Sequence, residues 1–136
     1  MPDMKPEESR VKIHHCKDRS EEQLSEYDIP KIDGMFEHGL RECWYWYASG
    51  SYDGSGCILM RGVAQDGTER WCQDDLGHCS CYGPTENISF GTDNARSWTS
   101  LDALALECGT NEDVQPLVEM ALVEHPPNPR KGAWPL

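Results

Sequence analysis

Long apolar runs are missing from this chain. None of its 136 residues belongs to a stretch that approaches the roughly 20 apolar residues of a transmembrane helix. Residues 1–22 also lack the apolar core of a secretory signal. The length fits one domain and is too short for two. These observations predict a single-domain cytoplasmic protein.

Basic residues are scarce. The chain has 12 Lys and Arg against 24 Asp and Glu, for a net charge of −12. Residues 43–129 hold thirteen of the acidic residues and only three of the basic ones. Such a surface repels nucleic-acid phosphates and anionic lipids and attracts basic proteins, so we expect no direct nucleic-acid binding and no membrane binding. The simpler alternative is that the charge only keeps the protein in solution.

The common catalytic fingerprints are also missing. The sequence contains no paired-carboxylate, Ser-His-Asp or dinucleotide-binding pattern. The glycine-rich run YDGSG is followed by neither a helix pattern nor a lysine, so it does not match a phosphate-binding loop. We therefore expect a protein that is not an enzyme.

Seven cysteines are present, and in an unexported protein they are expected to be thiols or metal ligands. Two of them lie in the run HCSCYG, residues 78–83, which leaves three readings open. A zinc site could use Cys72, His78, Cys79 and Cys81, although this spacing matches none of the common zinc fingers. A reactive thiol could form if His78 lowered the pKa of Cys79 or Cys81, although the acidic surroundings oppose that shift.

The third reading, which we favour, is a structural loop with no cofactor. Small cysteines would be buried in a compact turn that contains His78, Cys79, Cys81 and Tyr82, and Gly77 and Gly83 would supply special backbone dihedrals.

Alternating apolar patterns predict three antiparallel strands at residues 43–49, 57–63 and 68–74, with the Asp66-Gly67 pair suited to a tight turn. Helical periodicity predicts helices at 100–108 and 113–124, capped by Thr99 and by Asn111 or Asp113. The predicted fold is α+β: a three-stranded, or slightly larger, antiparallel meander with two C-terminal helices packed on one face.

The predicted domain covers residues 29–125. Residues 1–28 are polar and show no sustained period, which predicts a flexible acidic arm, and residues 126–136 form a tail. In this arm, the run His14-His15-Cys16 resembles a ligand pair, but we interpret it as incidental.

The aromatic strand CWYWYAS places Trp44 and Trp46 on one face and Tyr45 and Tyr47 on the other. Because two helices cover only one face, one aromatic face is expected to stay partly open and to bind a peptide, a planar ligand or a second copy of the chain, with Trp44, Trp46 and Tyr52 as contact residues. The alternative is that the N-terminal arm covers it.

From Trp46 through HCSCYG to WTSLDALAL, the sequence resembles a set of uncharacterised small bacterial and bacteriophage proteins. They share an aromatic strand, a Tyr-x-Gly hairpin, a His-Cys-Ser-Cys-Tyr-Gly loop and a short leucine-rich helix. The resemblance covers about half the chain. It implies a phage or prophage-like origin, and thus the cytoplasm of a host cell, but it brings no established activity.

Together these observations predict a non-enzymatic acidic binding protein that modulates a basic host protein, such as a nucleic-acid-binding or defence protein. The acidic residues expected to form the contact surface are Asp74, Asp75, Glu112, Asp113 and Glu119. The alternative is a small metal- or thiol-dependent enzyme or sensor built on the loop from His78 to Cys81, with zinc as its cofactor.

Overall fold

The computed structural model describes residues 10–49, 54–77, 88, 90 and 96–126. This part of the chain forms an α+β fold with a four-stranded mixed sheet and three α-helices, which confirms the predicted class. The elements are β1 (Lys12–His15), α1 (Ile29–Gly34), a 3-10 helix (Met35–His38), β2 (Leu40–Ser49), β3 (Gly54–Val63), β4 (Glu69–Asp75), α2 (Leu101–Cys108) and α3 (Gln115–Glu124). None of the described helices is long and apolar enough to cross a bilayer.

The centre of the sheet is the antiparallel meander β2-β3-β4. The turn between β3 and β4 contains Asp66 and Gly67, as the sequence predicts. Gly67 has a φ of 86°, in the left-handed region that glycine adopts without strain. The Asp66 carboxylate accepts hydrogen bonds from the backbone N–H of Thr68 at 3.0 Å and from its hydroxyl at 2.6 Å, which holds the turn closed.

The sheet differs from the predicted three-stranded antiparallel meander because β1 adds a fourth strand parallel to β2. Lys12 lies opposite Glu42, and His15 lies opposite Tyr45. Residues 10–28 are therefore built into the fold, with Val11, Cys16 and Leu24 buried, and do not form the loose arm that their composition suggested. β1 is short and polar, and a parallel neighbour needs no hairpin, so no local pattern marks it.

Both faces of the sheet are covered. On one face, Tyr45 and Tyr47 pack in a core with Leu24 and Ile32 from the N-terminal segment. On the other face, Trp44 and Trp46 pack in a second core under α2 and α3, and are only 1% and 4% exposed. The expectation of a partly open aromatic face with Trp44 and Trp46 as contact residues is therefore wrong: α2 and α3 cover the two indoles, and the N-terminal segment covers the tyrosine face.

The helix boundaries lie close to the predicted ones, but the caps differ. The Ser100 hydroxyl, not Thr99, caps α2 by accepting a hydrogen bond from the backbone N–H of Ala103 at 3.1 Å. Val114 precedes α3, and no side chain caps this helix. In the turn before it, the Asn111 side-chain oxygen accepts a hydrogen bond from the backbone N–H of Asp113 at 2.8 Å. Pro116 lies in the first turn of α3, where its missing N–H costs little.

The buried faces of the two helices can be tested by placing a charge on them. Leu104 and Leu117 are fully buried, whereas Leu106, also on α2, is 85% exposed. We expect Leu104→Asp or Leu117→Asp to unfold the chain, because an unpaired buried charge costs several kcal/mol of the ~5–15 that stabilise a domain. Thermal melting followed by circular dichroism measures this. Leu106→Asp is the matched control and should melt like the wild type, and unchanged melting of the buried variants would contradict the assignment of these faces.

Candidate functional site

Three of the five predicted acidic contact residues lie at one end of the sheet. Asp75 ends β4 and lies opposite Cys57, which itself lies opposite Trp46 on β2. The indole N–H of Trp46 donates to the backbone carbonyl of Asp113 at 2.8 Å, which brings the turn before α3 to the same place. Glu112 is adjacent in the chain and exposed. We call Asp75, Glu112 and Asp113 the acidic end.

The electrostatics of Cys57 agree with this proximity. Burial raises the pKa of the Cys57 thiol to about 12, and the negative charges of Asp75 and Asp113 also raise it. A hydrogen bond from Gln73 acts in the opposite direction. Both carboxylates are therefore close enough to Cys57 to act on one buried group.

One cation lies against the acidic end. Arg19 forms an ion pair with Asp113 at 2.9 Å, and its guanidinium lies 4.1 Å from the centre of the Trp46 ring. Both partners of this pair are substantially exposed, so it contributes little to stability. The two remaining predicted residues differ in position: Asp74 is half-buried on β4, and Glu119 is exposed in the middle of α3.

All six residues of the HCSCYG run, 78–83, lie outside the described residues. This applies to His78, Cys79, Cys81, Tyr82 and Gly83, and also to Tyr52. Gly77 is described, and its predicted role in a special dihedral is wrong, since only Gly39 and Gly67 have positive φ among the described glycines.

Cys72, the fourth predicted zinc ligand, is buried in the core that contains Tyr45. Burial, with a contribution from the Asp74 charge, raises the pKa of its thiol to about 12, so the thiol is protonated at neutral pH. No group of three His, Cys, Asp or Glu side chains suited to a metal ion occurs among the described residues. A site that includes the loop stays a prediction.

A cluster of half-buried ionisable side chains surrounds the buried Glu42, near the start of β2, and the sequence analysis did not predict it. Glu42 is 5% exposed, and its two carboxylate oxygens have different partners. Oε2 lies 2.7 Å from His14 Nε2 on β1, and Oε1 lies 2.8 Å from His125 Nε2 just after α3. Arg61 Nε on β3 lies 3.6 Å from Oε1. One carboxylate therefore links three parts of the chain to β2.

Aromatic rings hold the two histidines in place. His14 stacks on Trp44 with ring centres 5.3 Å apart. His125 meets Trp44 and Trp71 edge-on at 5.8 and 5.6 Å. These contacts restrict both imidazoles, so the hydrogen bonds to Glu42 are made at a small entropic cost.

Glu42 is ionised in the folded chain. Burial by itself would raise the pKa of the Glu42 carboxyl, but the hydrogen bonds and charges of His125 and His14 outweigh burial and hold the pKa below its ordinary value. Both oxygens have imidazole partners, so the carboxylate connects the segments that carry His14 and His125 to β2. The run His14-His15-Cys16, interpreted from the sequence as incidental, supplies His14 to this cluster. The only sequence signal for Glu42 is a carboxylate directly before the aromatic run CWYWYAS.

Comparison with protein families, with curated proteins and with solved structures finds no match for this chain.

The Glu42 cluster predicts a specific dependence of stability on pH. The folded chain lowers the Glu42 pKa, so the stabilisation is complete above the unfolded value of about 4.3 and is lost as the pH falls through the folded value. Replacing Glu42 by Gln should reduce the free energy of unfolding at pH 7 by about 1–3 kcal/mol and flatten its decrease below about pH 4.3.

Urea unfolding followed by tryptophan fluorescence from pH 7 to pH 3 measures this effect. Glu69→Gln is the matched control, because Glu69 is half-exposed and pairs with Arg61 without touching either histidine. In Glu69→Gln, the free energy of unfolding should decrease with falling pH as steeply as it does in the wild type. If Glu42→Gln lost stability with acid as steeply as the wild type, the cluster would not carry this pH dependence.

The predicted structural role of the HCSCYG loop has its own test. If the loop is structural, Cys79→Ser and Cys81→Ser should each lower the free energy of unfolding by about 1–3 kcal/mol, through a buried hydroxyl without a partner. Cys108→Ser, at a partly exposed helix end, is the control and should change little. About one zinc per chain in the purified protein, lost in both loop variants, would contradict this role. If iodoacetamide modified Cys79 or Cys81 far faster than the other cysteines, and His78→Ala removed that difference in rate, the loop would contain a nucleophile.

Proposed function

We propose that this chain is a non-enzymatic binding protein whose acidic end contacts a basic surface on another protein. The observation that carries the proposal is the convergence of acidic side chains from separate segments. Asp75 on β4 lies opposite Cys57, and the Asp113 carbonyl accepts a hydrogen bond from Trp46, which also lies opposite Cys57, with Glu112 exposed next to Asp113 in the chain.

A third segment adds to the same end. Glu22 precedes α1, and its carboxylate accepts hydrogen bonds from the backbone N–H and the hydroxyl of Ser49, at the end of β2, at 2.9 and 3.0 Å. Grouped carboxylates on a chain of net charge −12 create a negative field that accelerates encounters with basic partners and selects against acidic ones.

The same field disfavours direct binding to nucleic acid. A partner with a basic surface would include a protein that itself holds nucleic acid. On the resemblance of the HCSCYG loop to phage and bacterial proteins, the partner that we propose is a host protein.

Three of the five described thiols are unsuited to nucleophilic catalysis. Cys43, Cys57 and Cys72 are buried, and burial raises the pKa of each thiol, to about 12 for Cys57 and Cys72. A nucleophilic cysteine needs an accessible thiolate, and these three are inaccessible and protonated.

The proposed contact predicts a binding reaction that weakens with salt and with loss of specific carboxylates. A host protein captured on the immobilised chain at 0.1 M salt should be released at 1 M, because the Debye length falls from ~10 Å to ~3 Å. The triple variant Asp75→Asn, Glu112→Gln, Asp113→Asn should retain less of that protein than the wild type at 0.1 M.

The control removes the same number of charges elsewhere. Glu26, Glu37 and Glu124 are exposed on other elements, and their replacement by Gln gives the same net charge as the first triple variant. Equal loss of capture in both variants would show an effect of net charge alone and contradict a contact at the acidic end. Capture that resists 1 M salt would contradict an electrostatic contact.

A further inference from the structure

A cavity of about 390 Å³ lies at the end of the sheet where β1 and β2 begin. Its size is within the range of small-molecule sites. Four basic side chains, two apolar side chains and one carboxylate line it: Arg10, Lys12, Arg41, Arg61, Val11, Phe36 and Glu42. We call this cavity the basic pocket.

The basic pocket has the opposite charge to the chain as a whole. Four cations surround it in a protein with twice as many acidic as basic residues. Of these cations, the Glu42 carboxylate pairs with Arg61 alone, at 3.6 Å, and its oxygens are hydrogen-bonded to His14 and His125. Within the described part of the chain, the ion pairs formed by acidic side chains do not include Arg10, Lys12 or Arg41. Like charges in one cavity repel, and a bound anion would relieve that repulsion.

Two of the cations are held in place before any ligand binds. Arg41 Nη1 donates to the backbone carbonyls of Phe36 at 2.9 Å and Leu40 at 3.2 Å, and its guanidinium lies 3.8 Å from the centre of the Phe36 ring. Arg61 is fixed between Glu42 and Glu69, both at 3.6 Å. Fixed guanidinium groups lose little conformational entropy when they bind an anion.

We propose that the basic pocket binds a small organic phosphate. Arg10, Lys12, Arg41 and Arg61 bind the phosphate, and Val11 and Phe36 contact the apolar part of the ligand. A phosphate monoester carries a charge of about −1.5 to −2 and three acceptor oxygens, which suits several cations better than a single carboxylate does. A nucleic-acid polymer would extend beyond the pocket onto an acidic surface, so the ligand is a small molecule.

The basic pocket is separate from the acidic end. Glu42 and Trp46 mark the two positions on β2, and four residues of a strand span about 13 Å. The proposal of ligand binding in the pocket and the proposal of protein binding at the acidic end can therefore be contradicted separately. The variants that test the pocket change no residue of the acidic end, and the variants that test the acidic end change no residue of the pocket.

The test is calorimetric titration of the purified full chain at low salt with three probes: phenyl phosphate, inorganic phosphate and benzoate. We expect saturable binding of phenyl phosphate, competition by inorganic phosphate, and weaker binding of benzoate. Phenyl phosphate should also raise the melting temperature in a concentration-dependent way, because it binds only the folded chain. Absence of saturable binding, or benzoate binding as tight as phenyl phosphate, would overturn the proposal.

Variants locate the binding. Arg10 and Lys12 are exposed, so the double variant Arg10→Gln, Lys12→Gln should melt like the wild type while its affinity for phenyl phosphate falls roughly tenfold or more. The control double variant, Lys17→Gln with Arg96→Gln, removes the same charge at exposed positions elsewhere and should keep the wild-type affinity. Equal weakening in both double variants would show that net charge alone governs binding and would overturn the pocket as the site.

Discussion

Strand β2 is buried on both of its faces, and the rest of the structure is arranged around that burial. Its aromatic residues alternate, so Trp44 and Trp46 need one apolar cover while Tyr45 and Tyr47 need another. The helices α2 and α3 supply the first cover, and the N-terminal segment with α1 supplies the second. A two-sided strand cannot lie at a solvated face, which is why the chain before β2 is part of the domain.

Glu42 joins these layers at one point. Its carboxylate receives His14 from the segment on one side of β2, His125 from the end of α3, and Arg61 from the neighbouring strand. A buried charge is stabilising only when it is paired and hydrogen-bonded, so the cluster favours the one arrangement of layers that brings all these groups together. Glu42 and Arg61 of this cluster also line the basic pocket, together with Arg10, Lys12 and Arg41.

The charge of the chain is distributed unevenly along the sheet. Carboxylates from three segments meet at the end where β2 and β4 stop, whereas four basic side chains surround the cavity at the other end. Net charge by itself predicts only an acidic surface. The two proposals use this separation: we propose that the acidic end binds basic proteins and that the basic pocket binds small anions.

Patterns that involve near neighbours determined much of the fold. Alternation in CWYWYAS and the Asp66-Gly67 pair predicted the meander, and helical periodicity predicted the two C-terminal helices, because period and turn chemistry are local properties. Only the tertiary structure decided that β1 pairs with β2, which covers the tyrosine face, and that His14, Glu42 and His125 meet. Those residues are separated by 28 and 83 positions, and no local preference encodes a contact between segments that meet only when the two layers pack on one strand.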